Sequence, residues 1–156
     1  MNKVLTLCIV HESTHVLLGM KKRGFGAGFW NGFGGKVEPG ETIEAAARRE
    51  LREEAGIEAQ NLTRVGRLDF TFKGDPVVME VHVFRVAGFN GQPVEIEEMR
   101  PRWYPVDALP YDQMWADDRL WLPLLLRGKT FRGTFLFEGT DTIVEHHLFE
   151  TDAALV

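Results

Sequence analysis

Short β-branched and aromatic stretches, broken by glycine and acidic residues, dominate the hydrophobic pattern of this chain, and two segments depart from it toward helix. Residues 4–10 and 15–20 are apolar runs around Glu12-Ser13-Thr14, which predicts a hairpin. Residues 21–41, KKRGFGAGFWNGFGGKVEPGE, are too irregular for a helix and too rich in glycine for an ordinary strand, so a loop enclosing a short strand is expected. Residues 42–55 are strong helix formers, with Thr42 placed as N-cap and Gly56 just past the end. Residues 62–72 and 77–86 read as strands joined through Lys73-Gly74-Asp75-Pro76, a turn sequence, and a short strand is expected at 100–106. The run RLWLPLLLRG then predicts a second helix, with Asp117 and Asp118 ahead of it, Gly128 as its stop and Pro123 absorbed near its first turns. Residues 130–137 and 142–148 supply a last strand pair. No internal repeat or linker interrupts this order, which predicts an α/β fold, a mixed β-sheet sandwiched between α-helices.

Length adds that residues 1–156 form a single domain, and a composition 44% hydrophobic and 26% charged supplies a real core and excludes intrinsic disorder. Eighteen Lys and Arg against 23 Asp and Glu give a net charge of −5, the wrong sign for clamping polymeric nucleic acid. A small phosphorylated ligand needs only local cations or a bound metal and stays open. The lone Cys8 forms no intrachain disulfide, so a cytoplasmic location is expected. The first apolar run is about seven residues, short of a signal peptide or a membrane span, so no membrane partner is expected. His11, His15, His82, His146 and His147 show no metal-ligand spacing.

The predicted first helix carries the densest chemistry. At roughly 100° per residue, Glu50, Glu53 and Glu54 share an arc of about 100°, flanked by the apolar stripe Ala47, Leu51 and Ala55. From composition alone, a solvated helix with Arg and Glu paired at i,i+4 is the plainer reading. Three hard oxygen donors beside a glycine loop point instead to magnesium, which takes a few carboxylates together with water and phosphate.

The spacing decides between them: Gly35, five residues, Glu41, seven residues, Arg49-Glu50-Leu51, one residue, Glu53-Glu54, one residue, Gly56-Ile57. This matches at every defined position the signature of the Nudix hydrolases, which the chain therefore resembles. Beyond it, KKRGFGAG at 21–28, WNGFGGKV at 30–37, EMRP at 98–101, Met114-Trp115 followed by Asp117-Asp118, and WLPLLL at 121–126 resemble the oxidised purine nucleoside triphosphatases of that family, counterparts of the bacterial MutT enzymes. The chain departs from that pattern at Phe29, where an Arg is usual, and at Ala116, where a Pro is usual.

The resemblance implies the Nudix fold and magnesium-dependent hydrolysis of oxidised purine nucleoside triphosphates, such as 8-oxo-dGTP and 2-oxo-dATP, to the monophosphate and pyrophosphate. It implies Mg2+ held by Glu50, Glu53, Glu54 and the backbone of Gly34 and Gly35, with Glu98 completing the set from another loop. Glu54 is expected as the base, with Glu50 and Glu53 mainly ligands. Glu41 and Arg49 orient loop and helix. Asn31 and Trp115 would bind the base, Thr6, Lys21, Phe25, Phe33, Phe70, Met79 and Phe137 would line the pocket, and Lys36 would face phosphate. Adjacent carboxylates ahead of a helix are ordinarily caps, but in an apolar purine pocket one of Asp117 and Asp118 could be held protonated by its ionised neighbour and donate while the other accepts. The partner expected is a small-molecule nucleotide, and the chain is expected to act as a monomer. Another nucleoside diphosphate derivative as substrate, or a Nudix-fold binding domain without turnover, are the competing readings.

Overall fold

The computed structural model describes residues 2–156. Ten strands and two helices follow in the order β1 (Asn2–His11), β2 (His15–Lys21), β3 (Trp30–Asn31), α1 (Ile43–Ala55), β4 (Glu58–Ala59), β5 (Leu62–Phe72), β6 (Asp75–Val86), β7 (Phe89–Asn90), β8 (Met99–Pro105), α2 (Asp118–Leu126), β9 (Phe131–Glu138) and β10 (Thr142–Glu150). Eight strands make one sheet in the order β10-β9-β5-β6-β1-β2-β3, with β8 also paired to β2, while β4 and β7 form a separate ribbon. The sheet is mixed: β1 runs parallel to β6 and β5 parallel to β9, the remaining pairs being antiparallel.

Alternation along the central strands divides the core between two faces. On β1, Cys8 and Val10 turn toward α1, and on β6 Phe84 and Val86 do the same, packing with Ala47, Leu51 and Ala55. Ile9, Val81 and Val83 point the other way, against Trp121, Leu122 and Leu125 of α2. The sheet is thus sandwiched between its two helices, as expected. Alanine at 46 and 47 brings α1 close enough for the Cys8 thiol to donate to the Ala47 carbonyl at 3.7 Å.

Two strand joins differ from the sequence expectation. The turn after β5 is shorter than four residues: Phe72 already pairs with Asp75, leaving Lys73 and Gly74, and Gly74 takes φ +89°, a conformation that suits glycine. The first hairpin is only half a hairpin. β1 pairs with β2 only at Val10–Leu17 and His11–Val16, after which that edge of β2 takes β3 at Gly19–Asn31 and Met20–Trp30, while its other edge pairs with β8 across seven residue pairs, from His15–Pro105 to Lys21–Met99. The early half of β1 instead bonds the glycine segment: Cys8 and Phe33 exchange both backbone hydrogen bonds, Thr6 N–H donates to Gly35 O, and Val37 N–H donates to Val4 O. The gap that opens between β1 and β2 receives the glycine loop.

Candidate active site

Thr42 Oγ1 accepts the Ala45 N–H at 3.1 Å and Gly56 ends α1 in the left-handed region, so the helix starts and stops where its caps dictate. Its own Arg49 ties it to the glycine loop. That guanidinium grips Glu41 with two bonds of 2.6 and 3.0 Å, takes the Lys36 carbonyl at 3.0 Å, and reaches Glu50 at 2.9 Å and Glu53 at 3.2 Å. The bidentate bond with Arg49, aided by the Glu38 N–H, holds the Glu41 carboxyl down at about 2.

The loop itself sits where only glycine fits. A Cβ on Gly34 would lie 1.8 Å from the Thr6 carbonyl oxygen, and one on Gly35 would lie 2.6 Å from the Glu50 carboxylate. The Gly34 N–H donates to Glu54 Oε1 at 2.7 Å. Two helix carboxylates therefore rest on the glycine backbone, both partly removed from water. Burial pushes Glu54 up to about 7 against the opposing effect of the Gly34 N–H, and burial raises Glu50 against the pull of Arg49. Glu53 faces outward, 57% exposed, with Arg49 between it and Glu50. Glu98 is also exposed and pairs with Arg23 at 3.0 Å. Among the described residues no three acidic, histidine or cysteine side chains stand close enough to hold one ion, because Arg49 and Arg23 take those carboxylates instead. The donors themselves, all oxygen and flanking the half-buried Gly34–Gly35 backbone, are of the hard type that suits a divalent cation such as Mg2+.

Next to Glu54 a cavity runs between the sheet and the loop at 22–29. Of the side chains and backbone named from sequence, Thr6, Lys21, Phe25, Asn31, Gly34, Gly35, Glu54, Phe70, Met79, Trp115, Asp117, Asp118 and Phe137 line it. Trp115 is ringed by aromatics: Phe25 and Phe29 at 5.3 Å, Phe137 at 5.8 Å and Phe72 at 6.3 Å between ring centroids. Asn31 Oδ1 accepts the Gly32 N–H at 2.8 Å, which turns its NH2 group outward as a donor.

Phe33 and Lys36 do not line the cavity. The Phe33 ring is wholly buried on the α1 face against Gly19, and its backbone is engaged by Cys8, so strand alternation sends it into the second core. Lys36 is exposed beyond the loop, and its contribution is the carbonyl that holds Arg49. Neither aspartate caps α2 with its side chain. Asp117 Oδ2 accepts the Trp121 Nε1–H at 2.7 Å, and Asp118 Oδ2 is buried without a partner. Burial raises both carboxyls, Asp117 to about 6 and Asp118 well above the ordinary range, and for Asp118 the charge on Asp117 adds to it.

Phe29 and Phe72 also line the cavity and were not named from sequence. For Phe72 the signal was there, since it lies two residues from Phe70 on β5, whereas Phe29 precedes β3 and no strand alternation places it.

The NUDIX domain is matched over residues 1–125. The chain is 56% identical over 151 residues to the oxidized purine nucleoside triphosphate hydrolase of Danio rerio, covering 97% of each chain. It is 51% identical over 152 residues to the protein of that name from Mus musculus, again over 97% of each. In three dimensions it resembles the MutT protein of Bacillus halodurans, with a TM-score of 0.84 and 26% identity over 94% of this chain and 97% of that one. A likeness that runs the length of both chains, with the domain itself matched through the glycine loop and its acidic helix, leaves one assignment: this chain belongs to the Nudix family and is a Nudix hydrolase.

Proposed function

We propose that this enzyme hydrolyses oxidised purine nucleoside triphosphates to the nucleoside monophosphate and pyrophosphate and so keeps damaged bases out of the nucleotide pool. The names of its two relatives support this reading. The observation that carries it is the buried Asp117–Asp118 pair, set in the same aromatic-walled cavity as Glu54 and the glycine loop. Such a pair can carry a single negative charge, so it offers one donor and one acceptor to a heterocycle edge, while Trp115 offers a face for stacking. The NH2 group of Asn31 reads a further acceptor on the base.

Lys21 of β2, the one cation lining the cavity among the described residues, would face the phosphates. Mg2+ would be held by Glu50, Glu53, Glu54, Glu98 and the Gly34–Gly35 backbone, and its chemistry there is to neutralise phosphate charge and acidify the attacking water. Glu53 and Glu98 must leave Arg49 and Arg23 to join that set. Glu54, held by the Gly34 N–H, receives the proton of the water.

The test is Asp118→Asn. If the carboxyl reads the base, hydrolysis of 8-oxo-dGTP falls by one to two orders of magnitude, the scale of about 1–3 kcal/mol for a good bidentate contact. Unfolding changes little. A variant that keeps the wild-type preference for 8-oxo-dGTP over dGTP removes base recognition from this pair.

A further inference from the structure

We infer that Trp121 is a positioning residue for base recognition: its indole N–H marks Asp117 as the ionised member of the carboxyl pair and leaves the donor on Asp118. The inference rests on the purine-pocket reading above and names what gives the pocket its polarity.

Asp117, just ahead of α2, and Trp121, one turn on, are both buried and joined by the 2.7 Å bond from Nε1 to Oδ2. An indole N–H donates and never accepts, so it favours the carboxylate over the carboxylic acid at the atom it meets. It cannot swing away. The Trp121 ring is stacked on Phe131, with centroids 5.7 Å apart and planes at 29°, and the residue is fully enclosed in the core.

Asp118 has no matching side-chain donor; only the Trp115 backbone N–H pulls its carboxyl down against burial. Its Oδ2 is buried and unpartnered although the residue lines the cavity, which is the place for a hydroxyl hydrogen that a bound base would accept. The other charged groups facing the cavity are Lys21 from β2 and Glu54 from α1. Tyr111, before α2, stands near Asp118, and Arg119 turns outward to Asp112 at 3.0 Å. None of these hydrogen-bonds either aspartate, so the Trp121 N–H is the side-chain donor that distinguishes the two.

The occupant that follows is a purine edge with an acceptor toward Asp118 and a donor toward Asp117. Without the indole N–H the proton spreads over both carboxyls, and edges of the reverse polarity gain ground.

Two substitutions test this: Trp121→Phe, and replacement of Trp121 by β-(3-benzothienyl)alanine, which keeps the ring shape and lacks the N–H. In the free protein, labelled carboxyl carbons of Asp117 and Asp118 are followed by NMR across pH. In turnover, kcat and KM are compared for 8-oxo-dGTP and 2-oxo-dATP. Loss of the N–H is expected to raise the titration of Asp117 toward that of Asp118. The ratio of kcat/KM for the two substrates changes by about tenfold, through KM with kcat held, the size of a lost hydrogen bond to a charged group. If both folded variants titrate as wild type, the inference is overturned. If the wild type itself shows no preference among purines, the pocket reading fails, and the recognition half of the inference fails with it. If titration moves while a wild-type preference stays fixed, Trp121 sets charge and does not set specificity, which also overturns the inference.

Discussion

Glu54 is the helix carboxylate that both lines the cavity and accepts a backbone N–H from the glycine loop. Gln at this position keeps the shape and the bond to Gly34 but accepts no proton and adds no charge to a metal site. Glu54→Gln is therefore expected to lose turnover by about 100-fold or more with an unchanged unfolding temperature. Hydrolysis and thermal unfolding measured on one preparation decide it, and activity within a fewfold of wild type would show that Glu54 is neither base nor ligand. At Phe29, a position usually held by Arg in the branch the chain resembles, the side chain packs on Trp115 instead of carrying charge. Phe29→Ala takes one wall from the indole, and KM for the oxidised purine is expected to rise several-fold with kcat held, in line with about 0.5–1.5 kcal/mol for an aromatic pair. A raised kcat effect with unchanged KM would contradict it. Ala116, the other departure, packs against the α2 core, and the aspartates beside it are buried in the cavity wall.

At the scale of elements, what was legible in the sequence was what the chain decides locally. α1 was plain because its cap, its stop and its apolar stripe lie within fifteen residues of one another. The first hairpin was half legible, because the partner of the early part of β1 is a glycine segment more than twenty residues away and no local pattern announces it. The two-residue strands β4 and β7 have no periodicity to read. The candidate site follows the same division: the shared arc of Glu50, Glu53 and Glu54 was visible through helical spacing, though not that Glu53 turns out to Arg49, whereas the bond from the Trp121 indole N–H to Asp117 was hidden. Phe33 misled, since an aromatic beside a glycine loop reads equally as wall or core until the face is known. Gly34 tests the join between loop and sheet. In Gly34→Ala the Cβ meets the Thr6 carbonyl at 1.8 Å, so the loop must shift, with an expected loss of stability of about 1–3 kcal/mol and of activity beyond tenfold. Denaturant unfolding and turnover check both, and wild-type activity in this variant would mean that the loop position does not matter.

For the whole molecule, the carboxyls divide by sign. Glu41, held at about 2 by Arg49, favours the fold above the ordinary carboxylate range, and that contribution is lost as pH falls toward 2. Asp117 and Asp118 act in the opposite direction. Their raised values mean that the native state binds protons more tightly than the unfolded chain, so their stabilisation is complete below about 4 and is lost as pH rises through about 6 and beyond. Glu50 and Glu54, raised by burial, add to the same slope. Replacing both aspartates by Asn is expected to flatten the decline in denaturant midpoint between pH 4 and pH 7, and a profile parallel to wild type would refute the assignment. Magnesium held by the ionised glutamates, as proposed, would raise the unfolding temperature more at pH 7.5 than at pH 5, and chelator would abolish turnover at both. Full turnover in excess chelator would remove the metal from the reaction.

Where β1 parts from β2, its amides at Thr6 and Cys8 are donated to Gly35 and Phe33. Those two hydrogens are consequently a built-in clock for the glycine loop. Each exchanges with solvent only when the loop lifts from the strand, whereas the amides bonded to β6 wait for the sheet itself to open. The ratio of the two rates measures how often the site disassembles without the protein unfolding.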